Sequence, residues 1–285
     1  MRNVLPDVSD LIINNGNISS QQKITYTPPT FASATEEREW LKFRLAQAFR
    51  IFAQLGYDEG VAGHITVRDN MRPDCFWVNP FGLHFSLIQP SDLILVDHSG
   101  QVCVDESGPH QLLNKAAFAI HSTIHTNRPD VLCAAHSHSI HGRAFSTLGV
   151  ELDMITQDSC AFYKDHAVYR QFRGVVLDEE EGRNITEALG SRKAAILQNH
   201  GLLVAAGSIE ATVFYFSSLE KCCKAQLLAD AAAGGRGIKT IKIADDEAEA
   251  THNVIGGEKF GRFSGLPLFH ALEAREGRSF EFQAQ

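Results

Sequence analysis

Three stretches of the chain carry apolar residues at the spacing of an α-helix. The first runs from Trp40 to Leu55 and follows Ser33 and Glu36, which stand three residues apart as in a capping box. The second covers residues 114–126, and the third covers residues 208–232. The pattern predicts three amphipathic helices, of which the last is the longest.

Short apolar runs bounded by glycine, proline or polar residues lie between these helices. They cover residues 64–69, 76–81, 93–97, 131–138, 194–200 and 202–205. Runs of this length between turn residues are typical of buried β-strands. The first of them follow one another without an intervening helix, which favours antiparallel pairing. The sequence therefore predicts an α/β protein.

The chain divides by its pattern into three parts. Residues 1–32 are polar and irregular, and we expect an N-terminal arm there. Residues 33–237 hold the predicted helices and strands and form the main domain. Residues 238–285 are charged and then rich in glycine and phenylalanine. We expect this tail to pack on its own subunit or on a neighbouring one.

Two of the predicted strands end in histidine. His136 and His138 stand two apart at the end of one strand, so their side chains share a face. His200 ends the run that begins at Ala194. Imidazole suits zinc, iron, copper and nickel ions, and three protein ligands leave metal positions open, as in catalytic sites. The sequence predicts a three-histidine metal site.

These histidines allow two other interpretations. A bare His-x-His pair can be two unrelated side chains, but the matching strand that ends at His200 argues against this. His121 and His125 lie four residues apart on one face of the predicted helix 114–126 and offer a second metal pair. No glutamate stands next to His121, so we favour the set built on the His-x-His pair.

The composition restricts the partners and the compartment. The formal net charge is -8 at pH 7, which argues against non-specific binding of nucleic acid. No apolar run approaches the roughly 18–20 residues of a membrane span, and residues 1–20 lack the pattern of a secretory signal. The six cysteines show no paired spacing. We therefore expect reduced thiols in a cytoplasmic protein.

Six motifs of the chain occur in the order and at the spacing of a known family. They are Gly63-His64-Ile65-Thr66-Val67-Arg68, Asn79-Pro80-Phe81-Gly82, Ser91-Asp92-Leu93-Ile94, Arg128-Pro129-Asp130, His136-Ser137-His138 and Gln198-Asn199-His200-Gly201. By these motifs the chain resembles the class II aldolase/adducin family over roughly residues 35–230. The resemblance implies a three-layer α/β/α fold around a mainly antiparallel central sheet. It also implies a divalent metal ion on His136, His138 and His200, and a homotetramer with sites at subunit interfaces.

The chain departs from the sugar-phosphate aldolases of this family at positions that carry their chemistry. Those aldolases have a glutamate base in the helix before the His-x-His pair, where this chain has Ala117. Their phosphate-binding positions correspond to Lys115 and Ala116, and an asparagine of their glycine-rich turn corresponds to His64. We therefore expect no retro-aldol cleavage of a phosphorylated ketose, although all three metal ligands are present.

The chain also resembles the adducin-like branch of the family. That branch includes the non-haem iron oxygenase of prenylated hydroxybenzoate biosynthesis and fungal adducin-like proteins. The resemblance implies an enzyme that uses Fe2+ or Zn2+, with Mn2+ as a further candidate. It would cleave a C–C bond next to a carbonyl or carboxylate of a small keto or hydroxy acid, by decarboxylation or by oxidative cleavage. The alternatives are a zinc aldolase with a relocated base and a non-catalytic, adducin-like interaction protein.

Several further side chains are candidates for substrate binding and proton transfer. A substrate carboxylate needs positive or hydrogen-donating groups, for which Lys115, His64 and Arg143 are the candidates. The candidate proton donors or acceptors, which could act across a subunit interface, are Asp158, Tyr163 and His166. The alternative for these three residues is an ordinary polar loop over residues 153–166.

Overall fold

A seven-stranded sheet forms the centre of the molecule. The computed structural model describes residues 28–175 and 179–282. The strands are β1 (His64–Arg68), β2 (Cys75–Val78), β3 (Ile94–Asp97), β4 (Cys133–Ser137), β5 (His166–Tyr169), β6 (Ala194–Leu197) and β7 (Gly201–Ala206). They lie in the order β3-β2-β1-β4-β7-β6-β5, and all neighbours are antiparallel except β5 and β6. This mainly antiparallel sheet confirms the prediction.

Helices cover both faces of the sheet. They are α1 (Ala34–Leu55), α2 (Lys115–Asn127), α3 (Ile140–Ser146), α4 (Glu179–Leu189), α5 (Ile209–Gly235), α6 (Asp245–Ile255) and α7 (Glu258–Glu276). Buried side chains of α1, α3, α5 and α7 join the core on one face, and those of α2 and α4 join the core on the other. The α/β/α layers that the resemblance implied are therefore confirmed.

Local side chains determine where the two longest helices begin. Ser33 Oγ accepts a hydrogen bond of 3.1 Å from the N–H of Glu36, which confirms the predicted N-cap of α1. Gly56 ends this helix in the left-handed conformation, with a φ of 75°. Ser208 caps α5 through the N–H of Ala211. α5 is buried along much of its length, so it forms the centre of its layer.

α2 is held against the sheet by α4. A Cβ atom on Gly182 would overlap the carbonyl oxygen of Ala119, so only glycine permits this approach of the two helices. The hydroxyls of Thr123 and Thr186 share a hydrogen bond of 2.7 Å across the same contact. α2 therefore has a fixed position, and from it His121 reaches the side chains of β1.

The tail folds back onto helices of its own chain. A Cβ atom on Gly261 of α7 would overlap the ring of Tyr215 in α5, so the two helices are in close contact. The Tyr215 hydroxyl lies 2.9 Å from the carbonyl oxygen of Ile255 and 2.8 Å from that of Gly257. These contacts attach the segment between α6 and α7 to the main domain.

The sequence also led to expectations on the N-terminal arm, on membrane spans and on the cysteines. Most of the predicted arm, residues 1–27, lies outside the described residues. None of the helices within residues 28–175 and 179–282 combines the length and the apolar character that a membrane crossing requires. All six cysteines are free.

Candidate metal centre

Three histidines converge where β4 ends and where β6 turns into β7. His136 lies in β4, His138 follows directly after that strand, and His200 lies in the turn. Because β7 pairs with β4, the turn is brought to the end of β4. The ring centres lie between 4.7 and 5.1 Å apart. One ligand nitrogen from each ring lies within 4.8 Å of the others, so the fold brings these three side chains together.

The backbone of the motifs explains how the strands approach so closely. Asn199 has a φ of 57°, a left-handed conformation that asparagine tolerates better than most residues. A Cβ atom on Gly201 would lie 2.6 Å from the carbonyl oxygen of Ser137. Gly63 has a φ of 95° and lies beside the carbonyl oxygen of His136. These residues therefore keep the turn and β1 close to the end of β4.

One nitrogen of His136 is fixed as a hydrogen-bond donor. Its Nδ1 lies 2.9 Å from the carbonyl oxygen of Leu202, which can only accept a hydrogen bond. Nδ1 therefore carries the hydrogen, and Nε2 carries the lone pair. A carbonyl behind a metal-binding histidine is the usual way in which proteins fix the tautomer of the ligand.

All three rings are held in the neutral form. Burial is the main cause that lowers the pKa of each ring. Neighbouring histidines lower the pKa values of His136 and His200 further, and Arg143 does so for His138. The pKa of His200 falls to about 4. Neutral imidazole is the form that binds metal ions.

The three side chains together fit a divalent cation. They supply three neutral nitrogen ligands, and within the described part of the chain no carboxylate or thiolate belongs to the cluster. Three imidazoles suit zinc or iron, and fewer than four protein ligands leave a position for water or substrate. A cation held by these three ligands would have the open coordination that is typical of catalytic metal sites.

A buried carboxylate fixes the chain immediately after His138. Glu220 of α5 accepts a hydrogen bond of 2.5 Å from Ser139 Oγ. It also accepts hydrogen bonds from the backbone N–H groups of His141, at 2.9 Å, and Gly142, at 2.7 Å. These donors belong to the first turn of α3, whose N-terminal N–H groups need partners. Glu220 therefore positions α3 and, through it, the backbone that carries His138.

Charged groups lie near the exposed side of His138. Arg143 of α3 pairs with Glu59 at 2.7 Å, and both side chains are partly exposed. Arg143 lowers the pKa of His138 and Glu59 raises it, so both lie within electrostatic range of the cluster. Lys115, the other predicted cation, is exposed at the first residue of α2.

The predicted proton donors lie at another part of the same chain. His166 begins β5 opposite Ala194, whereas His200 follows Leu197 at the other end of β6. The two ends are about 10 Å apart at the rise of a strand. Both ring nitrogens of His166 are engaged, by the carbonyl of Phe162 and the N–H of Leu152.

Asp158 and Tyr163 precede β5, and the carbonyl oxygen of Ala161 between them accepts a hydrogen bond of 2.7 Å from Lys193, which directly precedes β6. Asp158 is exposed, whereas Tyr163 packs in a small buried cluster with Cys160 and Ala248. Within the described residues of one chain, the fold does not bring these three side chains to the histidine cluster. Their action across a subunit interface stays a prediction.

The structure also places four residues whose contacts the sequence did not reveal. His64 lies opposite His136 in the pairing of β1 with β4, and the ring centres are 5.0 Å apart. His121 and His125 do not join the metal-ligand cluster; they hydrogen-bond to His64 and Thr66. The sequence showed that His136 and His138 share one face of a strand and that His121 and His125 share one face of a helix. It contained no signal that the strand pair and the helix pair lie close together.

The sequence of the chain is similar to that of a known protein family and to those of individual proteins. Residues 43–227 match the family described as Class II Aldolase and Adducin N-terminal domain. The 4-hydroxy-3-prenylphenylpyruvate oxygenase/4-hydroxy-3-prenylbenzoate synthase of Streptomyces roseochromogenus subsp. oscitans is 42% identical over 249 residues, 87% of each chain. Decarboxylase NovR of Streptomyces niveus is 42% identical over 87% of this chain and 90% of its own.

A solved structure has the same fold. The L-fuculose 1-phosphate aldolase from Glaciozyma antarctica PI12 is 46% identical, with a TM-score of 0.80. The superposition covers 88% of this chain and 96% of that one. The family match over residues 43–227 includes the strands and the turn that carry the three clustered histidines.

Proposed function

The chain belongs to the class II aldolase and adducin family, and we propose on this premise that it is a metal-dependent enzyme. The proposed reaction cleaves a C–C bond next to a carbonyl or carboxylate, by decarboxylation or oxidative cleavage of a small keto or hydroxy acid. The observation that carries this proposal is the cluster of three histidines whose ligand nitrogens lie within 4.8 Å of one another.

His136, His138 and His200 are the residues that would hold the cation. Fe2+ and Zn2+ are the first candidates, and Mn2+ is a further one, because the donor type suits all of them to different degrees. The bound cation would supply a Lewis acid for a chelating substrate, and Fe2+ would also supply a site for O2.

The charges near the cluster support a carboxylate substrate. Arg143 is partly exposed close to His138, where its guanidinium, which pairs with Glu59, can also pair with a substrate carboxylate. Lys115, exposed at the first residue of α2, is the second cation of this proposal, and the ring centre of His64 lies 5.0 Å from that of His136. We propose that Arg143 and Lys115 bind the substrate carboxylate and that His64 binds and orients another group of the substrate.

We propose that the groups that transfer protons come from a neighbouring subunit. We infer a homotetramer in which the segment that carries Asp158, Tyr163 and His166 approaches the cluster of a neighbour, with the exposed Asp158 foremost. Light scattering that gives the mass of one chain would contradict this part. We also infer a cytoplasmic location, which the six free thiols support.

The names of two relatives support this class of reaction. One is named as an oxygenase that acts on a prenylphenylpyruvate, and the other as a decarboxylase. Ala117 argues in the same direction, because it stands where the sugar-phosphate aldolases have a glutamate base and cannot accept a proton.

A zinc aldolase with a relocated base is the second candidate. The 46% identity to a structure named as L-fuculose 1-phosphate aldolase favours it. The third candidate is a non-catalytic, adducin-like interaction protein. It is less favoured because an interaction surface has no need of three converging neutral histidines.

The reaction can be tested with protein purified without O2 and loaded with Fe2+ or Zn2+. O2 uptake and CO2 release would be measured with aromatic 2-keto and 2-hydroxy acids, and aldehyde release with L-fuculose 1-phosphate. His136→Ala should abolish turnover, whereas His270→Ala, at an exposed histidine of α7, should not. Turnover of the sugar phosphate alone would favour the aldolase. No turnover of any substrate by loaded protein would support the interaction protein.

A further inference from the structure

A buried hydrogen-bonded chain joins β1 and α2 beside the histidine cluster. His64 Nδ1 lies 2.8 Å from His121 Nε2, and His121 Nδ1 lies 2.6 Å from Thr66 Oγ1. The same hydroxyl lies 2.8 Å from His125 Nε2. All four side chains are buried, so water does not compete for these bonds. We call this set the β1–α2 relay.

The rings of the relay are neutral. Burial is the main cause that lowers the pKa values of His64 and His121 well below the ordinary histidine range. It also lowers the pKa of His125 to about 3. Each neutral ring has one N–H donor and one acceptor nitrogen, and the Thr66 hydroxyl has a single hydrogen.

The direction of one bond therefore determines the tautomer of His64. If the hydroxyl of Thr66 donates to His121, then His121 donates to His64 and the hydrogen of His64 is on Nε2. If the hydroxyl donates to His125, then His121 must donate to the hydroxyl from Nδ1. His121 Nε2 then accepts from His64, whose hydrogen is on Nδ1.

The far end of the relay selects between these two directions. His125 Nε2 faces Thr66, so Nδ1 is at the opposite edge of the ring, where it is buried and lacks a hydrogen bond of standard geometry among the described residues. Arg68 Nη2 donates to the carbonyl oxygens of both His125 and Val131, at 2.6 and 3.3 Å, which places the carbonyl of Val131 near His125. The backbone of Val131 also raises the pKa of His125, as a hydrogen-bond acceptor beside the ring does. A carbonyl oxygen attracts an N–H and repels a lone pair. Nδ1 of His125 therefore carries the hydrogen, and Nε2 accepts from Thr66.

We propose that Thr66 and His121, supported by His125, hold His64 in the tautomer with its hydrogen on Nδ1. Nε2 then presents a lone pair on the edge that does not face α2, beside His136. This tautomer accepts a hydrogen bond and cannot donate one from Nε2, so it suits a substrate hydroxyl rather than a carboxylate. The tautomer follows from the relay alone, whereas its use toward a hydroxy-acid substrate rests on the proposed function.

Thr66 and His121 are positioning residues in this proposal, because they act on the site through His64. Their effect differs from that of a merely structural contact, which would stabilise the fold without selecting one tautomer. Thr66→Ser keeps the hydroxyl and should keep the tautomer. Thr66→Val has nearly the same shape without the hydroxyl, so it should release His64 into a mixture of tautomers.

Nitrogen NMR of the metal-free protein with isotope-labelled histidine measures the tautomer directly. Spectra of wild type, Thr66→Ser and Thr66→Val would be compared, with the His64 signals assigned from their loss in His64→Asn. The expected result is a protonated Nδ1 and an unprotonated Nε2 in wild type and Thr66→Ser. A protonated Nε2 in wild type would overturn the proposal, as would an unchanged tautomer in folded Thr66→Val.

The wild-type spectrum tests the proposal even if the valine variant does not fold. Failure of the proposed function is a separate outcome, because the spectrum is recorded without metal or substrate. A protein that binds no metal but shows the predicted tautomer would retain the relay and lose the catalytic role.

Discussion

Glu220 provides a quantitative test of how the site is supported. Its Oε1 accepts from the N–H of His141, and its Oε2 accepts from Ser139 Oγ and from the N–H of Gly142. Glu220→Gln replaces one oxygen by an NH2 group, which cannot accept. In either orientation of the amide, at least one backbone N–H at the start of α3 loses its partner: that of Gly142, which is buried, or that of His141, which is partly buried.

The expected cost follows from that lost partner. A buried donor without an acceptor costs about 1–3 kcal/mol, and the remaining bonds lose the strength that the charge gave them. We expect Glu220→Gln to lower the free energy of unfolding by about 2 kcal/mol, which corresponds to a melting temperature about 4–8 °C lower. Because His138 directly precedes this turn, the variant should also retain less metal.

Thermal unfolding followed by circular dichroism provides the measurement. Glu249→Gln is the matched control, because Glu249 is exposed on α6 and the same chemical change there should be nearly neutral. Equal melting temperatures for the two variants would refute the reasoning, since they would mean that α3 does not depend on the buried carboxylate.

Three other predictions test the relay, the turn and the substrate class. The pKa of His125 falls to about 3 in the folded chain from 6.5, so below about pH 6.5 the unfolded chain binds the extra proton. The contribution of His125 to the free energy of unfolding should then fall by about 2 kcal/mol between about pH 7 and about pH 5. Urea midpoints that do not change with pH would contradict this. Gly201→Ala places a Cβ atom 2.6 Å from the carbonyl oxygen of Ser137 and should lower the free energy of unfolding in urea by about 1–3 kcal/mol. The control Gly234→Ala, in open space on α5, should be neutral or stabilising. Equal costs for the two variants would argue against the close approach of Gly201 to Ser137. In calorimetry with zinc-loaded protein, the ratio of mandelate to phenylglyoxylate affinity should fall in Thr66→Val by up to about five-fold, the equivalent of one lost hydrogen bond of about 1 kcal/mol. An unchanged ratio would contradict the lone pair on His64.

The sequence predicted the three clustered histidines because each follows a short apolar run. A strand that ends in histidine, followed by glycine or a second histidine, specifies both the face of the sheet and the end of the strand. His136, His138 and His200 therefore needed only the pairing of β4 with β7 to meet. The fold class could be predicted for the same reason, since the helical and strand periods were distinct.

The supporting residues could not be predicted because their partners are distant in sequence. His121 is 55 residues from Thr66, and Glu220 is 81 residues from Ser139. An apolar period shows which face of a helix is buried, but it does not show which strand or loop that face contacts. The arrangement of α2 over β1, and of α5 under α3, exists only in the folded chain.

The predicted proton donors show a different limit of the sequence. Asp158, Tyr163 and His166 were selected as acid or base groups next to a strand, but the sequence did not show at which end of the sheet they lie. Their location depends on the parallel pairing of β5 with β6, which places His166 opposite Ala194. A pattern of alternating residues contains no information on that direction.

The metal content of the protein tests the central claim most directly. Wild type and His200→Ala would be purified without O2, offered Fe2+ and Zn2+, and analysed for metal after removal of unbound ions. We predict about one divalent ion per chain in wild type and a large loss in His200→Ala, as expected for removal of one of three ligands. No bound metal in wild type, or equal retention by both proteins, would contradict a metal centre on His136, His138 and His200.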